Sequence, residues 1–485
     1  MRILFAGALL CSLSLAGCDA LDTKEDLNLT DEMMATRRYQ MFDWGYRVYE
    51  HIPYGFTAID LFAAVSDEAQ YVTTFSSTQR FNEGSWSAYY NPDDCYTSYY
   101  NGIYAAHDYL DKSVDYRYIL GMHRDTLTSN GLDSYRRDIV DVQRLRAEAH
   151  VLKAYYYFEL AKRYGGVPLI DRVYADQKEA NLPRGTFDEV VGLILREIEG
   201  VRNELVVDWR AENLEEKSGR ITRGAALALK SRVLLYAASP QFNPSGEKSK
   251  WAAAAAAAFE VINMGIYSLH PDYGGLFVAE TSTTSPETIW AVRIGATNEF
   301  ERKNYPIGTQ GGGTGICPSQ NLVEAYESTG EDTDDAYAGL DPRFYATVLR
   351  NGDTWNGRTL EIYAGGADDP ARQNASPTGY YLRKFLNENL NLTNDDKRLR
   401  SWIVFRYAEI LLNFAEAMNE AYGPDDAHGY GMSARDAVDA VRARSGVGMP
   451  PVDVDPGDAA AMRTAIKHER RIELAFEDHR YWDLR

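Results

Sequence analysis

The stretch Arg146-Ala147-Glu148-Ala149-His150-Val151-Leu152-Lys153-Ala154-Tyr155-Tyr156-Tyr157-Phe158-Glu159-Leu160, running into Arg163-Tyr164-Gly165-Gly166-Val167-Pro168-Leu169, decides how this chain reads. Between Asp138 and Tyr164, the residues Leu145, Ala149, Leu152, Tyr156 and Leu160 fall at steps of four, three, four and four. That spacing lines one face of a helix. Gly165-Gly166 stops it and Pro168 follows, because glycine accepts a left-handed helix end and proline cannot continue a helix. The same pattern recurs outward from this segment. Leu227, Ser231, Leu234 and Ala238 repeat it between Thr222 and Ser239, ahead of Pro240. An Ala-rich helix spans Trp251 to Met264. Tyr407, Leu411, Phe414, Met418 and Ala421 mark another from Arg406, ended by Gly423-Pro424. Asp436 to Arg444 and Ala459 to Glu477 complete the set.

Small residues (Ala149, Ala225, Ala226, Ala228, Ala254, Ala257, Ala415, Ala417) stand where neighbouring helices must approach closely. The pattern predicts a mostly α fold. Its helix pairs resemble tetratricopeptide repeats, although no strict period of about 34 residues is visible. Irregular, aromatic and Gly-rich stretches separate the helices: Tyr71 to Tyr100, His270 to Ser319, and Gly339 to Lys397 with Trp355, Tyr363, Tyr380 and Tyr381. Long loops in a compact domain carry function more often than not, so a ligand is expected there.

Length alone, 485 residues, suggests about two or three domains. The chain has 34 Tyr and 8 Trp against 17 Phe. Tyr and Trp offer a flat apolar face with a polar edge, which suits sugar stacking and partner interfaces; any single Tyr can equally be core filler. The net charge of −20 opposes nucleic acid and anionic leaflets and favours a neutral or cationic ligand.

At the N-terminus, Arg2 precedes an apolar run from Ile3 to Leu15, followed by Ala16-Gly17-Cys18. This is a secretory signal, too short to span a bilayer. Leu15-Ala16-Gly17-Cys18 resembles a bacterial lipobox, which makes Cys18 the lipidation site and 1–17 the signal peptide. Asp19, Asp22, Glu25 and Asp26 then resemble the acidic export signal of surface lipoproteins in the Bacteroidetes. An acyl anchor on Cys18 is therefore the expected attachment to the outer membrane, facing the cell surface. Of the four Cys, Cys95 and Cys317 remain, free to pair or to stay apart as buried thiols.

Four ordered stretches resemble the SusD/RagB family of outer-membrane nutrient-binding lipoproteins. They are Arg146 to Leu169, Gly219 to Ala237, Arg406 to Glu420 and Glu469 to Arg485, and together they run over nearly the whole chain. The resemblance implies a SusD-like fold over 18–485, with an N-terminal part of about 18–240 and a C-terminal part of about 241–485. It implies four repeat-like helix pairs on one side, facing a TonB-dependent transporter of the SusC type, with ligand held on loops between lid and barrel. No cofactor, metal or catalysis is implied. Family members usually continue past Asp483-Leu484-Arg485 into a tail, so the chain reads as truncated at Arg485. Within the four stretches Arg406, Glu409, Glu416, Glu469, Arg470, Glu473 and Arg480 sit in apolar helices, which is costly unless they pair. They are expected to fix helix register rather than to form a site.

Catalytic chemistry finds little support. The eight His show no zinc spacing, and there is no Gly-x-Ser-x-Gly elbow and no phosphate loop. Gly308 to Gly315 lacks dinucleotide-binding spacing. Acidic pairs such as Asp67/Glu68 or Asp334/Asp335 are expected by chance among 71 Asp and Glu. A binding surface remains. Asp67, Arg80, Trp86, Tyr89, Tyr90 and Asn91 combine aromatic faces for sugar CH groups with donors and acceptors for hydroxyls. Alternatively, Trp86 and Tyr89 pack on the following helix, Tyr99 to Leu110. Tyr305 and Gln310 are further candidates, whereas Trp290, between Ile289 and Val292, reads as a buried strand. The reading is a glycan-binding lipoprotein that delivers to a transporter. The alternatives are a peptide-binding relative or a repeat scaffold without a ligand, whose loop aromatics would be buried.

Overall fold

Thr128 accepts a hydrogen bond from the Gly131 amide at 3.2 Å and so starts the helix built around Leu152. The helix begins well before the periodic segment at Asp138, because its first turns face solvent and carry no apolar stripe. It ends at Gly165, where φ is +73°. The computed structural model describes residues 37–53, 61–73, 76–122, 124–176, 178–212, 214, 217–278, 281–329 and 335–485. Cys18 and the signal segment 1–17 lie outside them.

The helices that matter are α1 (Arg38–Tyr46), α2 (Ser77–Asn82), α3 (Tyr96–Lys112), α4 (Ser129–Tyr164), α5 (Phe187–Val201) and α6 (Arg223–Ala238). After them come α7 (Lys248–Ile262), α8 (Tyr407–Tyr422), α9 (Ala434–Arg442), α10 (Ala459–Glu473) and α11 (Arg480–Asp483). Helix takes up about 47% of the chain and strands are few and short, so the fold is mostly α. Helices α3 to α8 pack each on the next, and α8 also carries α9 and α10. The result is four pairs in sequence: α3/α4, α5/α6, α7/α8 and α9/α10. The predicted small residues are what let them close, since Ala226, Ala228, Ala415 and Ala417 are fully buried. At Gly102 in α3 a Cβ would stand 2.6 Å from the Tyr156 ring of α4, so only glycine permits that approach.

Between α7 and α8 the chain departs into the irregular half. There β2 (Thr288–Thr297) runs antiparallel to β4 (Arg398–Arg406), with Ala291 opposite Ile403. Strand β1 (Ala69–Tyr71) pairs with β3 (Ile316–Pro318), placing Gln70 opposite Cys317. Two of the three irregular stretches expected to hold a ligand, His270 to Ser319 and Gly339 to Lys397, thus turn several of their aromatics inward. Trp355 and Tyr381 are fully buried and Tyr380 nearly so, leaving Tyr363 exposed. Trp290 is buried as predicted, its indole N–H donating to Gly219 O at 2.9 Å. Cys95 and Cys317 are free thiols.

The charged residues embedded in the helices meet at one place. Arg406, buried at the end of β4, contacts Glu287 at 2.8 Å, Glu473 at 2.7 Å and Glu477 at 2.6 Å. Arg444 bridges Glu287 and Glu473 at 2.6 and 2.5 Å. Arg343 holds Glu473 at 2.8 Å and also pairs with Glu469. Burial opposes the ionised form of Glu473, but Arg444, Arg406 and Arg343 outweigh it and hold its carboxyl well below the usual range. Elsewhere Arg232 pairs with Glu409, and Arg470 with Asp483 at 3.0 Å. Glu416 departs from expectation: among the described residues it forms no such pair, and burial raises its carboxyl.

A seam joins the two ends of the described chain. Glu68 accepts from the Phe476 amide at 3.4 Å and Asp478 from the Phe62 amide at 2.9 Å. Phe476 and Asp478 both adopt left-handed φ, +64° and +62°, which bulky residues reach only when their surroundings hold them there. Burial pushes Glu68 up to about 8 and Asp478 up to about 7.

Arg406→Ala takes one cationic partner from each of three buried carboxylates and is expected to cost about 3–5 kcal/mol in denaturant unfolding. The raised Glu68 carboxyl contributes stability that is complete below the ordinary carboxyl range and lost as pH rises through about 8. Glu68→Gln removes that dependence, so unfolding free energies measured from pH 5 to 8 will fall more steeply for the natural chain than for the variant. Parallel slopes would refute this.

Candidate functional site

Helix α2 ends at Asn82, and the chain turns back at Gly84, where φ is +65°. Ser87 and Tyr90 then exchange backbone hydrogen bonds of 2.9 and 3.0 Å, a tight turn that pushes Ala88 and Tyr89 to its tip. Tyr89 is completely exposed, and Trp86 and Tyr90 are each 48% exposed. Large aromatics held uncovered by a fixed backbone are unusual on a surface with nothing to bind.

The rings are held from beneath. The Arg80 guanidinium lies 4.4 Å from the centre of the Tyr90 ring, a cation–π contact, and Phe81 meets Trp86 at 5.4 Å. Phe81 rests on Tyr481 of α11 at 5.9 Å, and Tyr481 stacks on Phe62 at 5.3 Å. The floor of the aromatic group therefore belongs to the far end of the chain. Phe81 and Tyr481 were not singled out from the sequence, and Tyr481 falls inside a stretch read there as scaffold.

On the other side of the turn, Asn91 spends its side chain locally. Its carbonyl accepts from the Asp93 amide at 3.0 Å and its amide donates to Asp93 O at 3.2 Å. Asp93 is then clamped by Arg163 at 2.7 Å. The Tyr164 hydroxyl accepts from the Cys95 amide at 3.2 Å and donates to Asp94 at 3.3 Å. Burial pushes the Cys95 thiol up to about 12, so it stays protonated and unreactive at neutral pH.

Two expectations need correction. Asp67 does not face a ligand with free oxygens: Arg480 grips both at 2.7 and 2.8 Å, and Arg471 lies 3.0 Å away. The hydrogen bond from Arg480 is the main cause that holds its carboxyl below the usual range. Tyr305 is fully buried, its hydroxyl donating to Asn387 O and its ring edge-on to Trp355 at 5.2 Å. A ring without solvent-facing surface cannot stack on a sugar. Gln310 is exposed but sits on a separate loop, where Asp368 accepts from the Gly308 amide at 2.9 Å. The structure brings Trp86, Tyr89, Tyr90 and Asn91 together on one loop, with Arg80 beside them on α2. Tyr89, wholly exposed, does not pack on α3, and Trp86 meets the Phe81 ring of α2.

Behind the loop a cavity of about 360 Å³ is walled by Tyr99, Glu159, Lys162, Arg163 and Arg232. Burial raises Glu159, but Lys162 and Arg163 outweigh it and hold it down to about 2, while burial drives Lys162 down to about 8. These charges satisfy one another, as a structural support would. Among the described residues, no three His, Cys, Asp or Glu side chains converge as a metal requires, and no helix is long and apolar enough to cross a membrane.

Residues 286–485 match the family model described as the SusD family, and residues 19–235 match one described as "Starch-binding associating with outer membrane". The chain belongs to the SusD/RagB family. Two SusD-like proteins of Formosa agariphila are 27% and 24% identical to it, over 71% and 76% of this chain. Those matches span 66% and 69% of the relatives' own lengths. Among solved structures, a SusD-like carbohydrate-binding protein from Bacteroides fragilis superposes with a TM-score of 0.75 at 23% identity, covering 93% of this chain and 86% of that one. A second SusD-like protein from the same species gives 0.75 at 26% identity, over 94% and 87%. A laminarin-binding SusD-like protein gives 0.64 at 23%, over 92% and 90%. This SusD-family chain therefore carries its exposed aromatic loop on the same fold.

Stability and exposure should separate in mutants. Tyr89→Ala, at an uncovered tip, is expected to shift unfolding by less than about 0.5 kcal/mol. Tyr305→Ala, in the core, is expected to cost about 3–5 kcal/mol. Equal costs in chemical denaturation would contradict the placement of both rings.

Proposed function

We propose that this protein is a non-catalytic binder of a neutral glycan. In this reading it is held on the cell-surface face of the outer membrane by acyl chains on Cys18 and passes its cargo to a TonB-dependent transporter of the SusC type. The observation that carries the proposal is the group Trp86, Tyr89 and Tyr90, uncovered yet fixed, beside Arg80. Sugar rings present CH faces to such aromatics and hydroxyls to such polar edges. The net charge of −20 favours neutral cargo over an anionic one. The carbohydrate-binding and laminarin-binding relatives support the same class of ligand. A scaffold without a ligand would bury its loop aromatics, and the exposure of Tyr89 counts against that alternative.

Affinity electrophoresis through laminarin, starch, xylan and galactomannan tests the proposal. At least one polysaccharide should retard the purified chain, and Trp86→Ala should weaken that retention about tenfold, since few central aromatics carry most of such binding energy. A folded chain that ignores every polysaccharide would sink the reading, and capture of a peptide library instead would move it to peptide uptake.

A further inference from the structure

Past the exposed loop the chain enters α3, and its first solvent-facing positions repeat one residue type. Tyr96, Tyr100 and Tyr104 stand at steps of four on one helical face, over a rise of about 12 Å. Tyr96 is 39% exposed, Tyr104 is 51% exposed, and Tyr100 between them is half-buried. The rings of Tyr96 and Tyr100 lie 4.7 Å apart, and Tyr164 of α4 stands edge-on to Tyr96 at 5.4 Å.

Two of the rings, Tyr100 and Tyr164, are set in place by their polar edges. The Tyr100 hydroxyl donates to Pro168 O at 2.8 Å, and the Tyr164 hydroxyl is tied to Asp94 and to the Cys95 amide. Anchored edges leave ring faces as the available surface. Arg184, exposed and bonded to Gly166 O at 2.7 Å, adds a cation beside the strap that Tyr100 grips. The other exposed residues along this part of α3 are Thr97, Ser98 and Asn101. Aromatic faces among hydroxyls and amides, without an aliphatic side chain, suit a sugar chain better than a protein surface, whose core would be more apolar. The stripe stops at Asp108, which is buried by accepting from the Trp44 indole of α1 at 2.6 Å.

The segment joining loop and stripe is rigid as well. Asn91, Asp93, Asp94 and Cys95 are all tied down, the last three to Arg163 and Tyr164. We infer that Tyr96, Tyr100 and Tyr104 form a second stacking subsite continuous with the Trp86–Tyr90 loop, so that the ligand is a neutral glycan long enough to engage both. This rests on the glycan reading above and extends it from a ligand class to a chain length.

The test compares Trp86→Ala with the double variant Tyr96→Ala/Tyr104→Ala, whose side chains are exposed enough to leave the fold intact, as circular dichroism would check. Binding to whichever of laminarin, starch, xylan or galactomannan retards the natural chain is titrated, alongside inhibition by the trisaccharide of the same linkage. The double variant should lose about tenfold in affinity for the polymer while trisaccharide inhibition changes less than about twofold, and Trp86→Ala should weaken both. A trisaccharide that fails to inhibit even the natural chain, with polymer affinity still lost in the double variant, supports the same conclusion. Unchanged polymer affinity in the double variant, with Trp86→Ala still impaired, overturns the second subsite, assigns the stripe to something else such as a protein partner, and leaves glycan binding standing. Equal losses for polymer and trisaccharide also overturn it, because the stripe would then belong to the primary site. If no polysaccharide retards the natural chain, both readings fall together.

Discussion

Arg406 has almost no contact with water and lies against three carboxylates, Glu287 at the entrance to β2 and Glu473 and Glu477 at the end of α10 and just beyond it. A guanidinium in such a place is stable only while every partner is present, and each carboxylate is stable only while the arginines are. Arg444 and Arg343 extend the arrangement, so that the entrance to β2, the end of β4, the end of α9 and the face of α10 have one mutual position. Strand β4 leads directly into α8, which packs on α7. A charge cluster, rather than a local turn, thus returns the chain to its helical frame after the irregular half.

The same logic, in weaker form, holds the aromatic loop. Arg163 at the end of α4 clamps Asp93, and Arg480 with Arg471 clamps Asp67. Phe81 rests on Tyr481, and the seam of Glu68 with Phe476 and Asp478 with Phe62 joins the ends beneath it. An exposed loop with anchored edges gives up little further conformational entropy when it binds. The rings of Trp86, Tyr89 and Tyr90 are presented rather than folded away.

Helices were the most legible feature. The Ala-rich α7 and the stretch from Tyr407 form where apolar spacing and terminating Gly or Pro place them, within a few residues. The helix around Leu152 ends where its glycines place it but starts at Ser129, nine residues before the periodic segment at Asp138. The embedded Arg and Glu announced that they must pair, and most do. Exposure was less legible. Asp67 and Tyr305 looked like ligand residues by type and neighbourhood, yet one is consumed by two arginines and the other by the core. Nothing local distinguishes a Tyr that packs from a Tyr that waits, as Tyr381 and Tyr89 illustrate.

What the sequence by itself determined was therefore most of the paired helices (α5 excepted), the charges that had to find partners and the family. Each follows from periodicity, termination signals and the cost of burying charge, which depend on neighbours along the chain. The tertiary structure alone decided which aromatics meet solvent, which acid is clamped and which end of the chain floors the loop. Those outcomes depend on contacts such as Asp67 with Arg480 and Phe81 with Tyr481, between residues some four hundred positions apart. No local pattern encodes a distance of that kind.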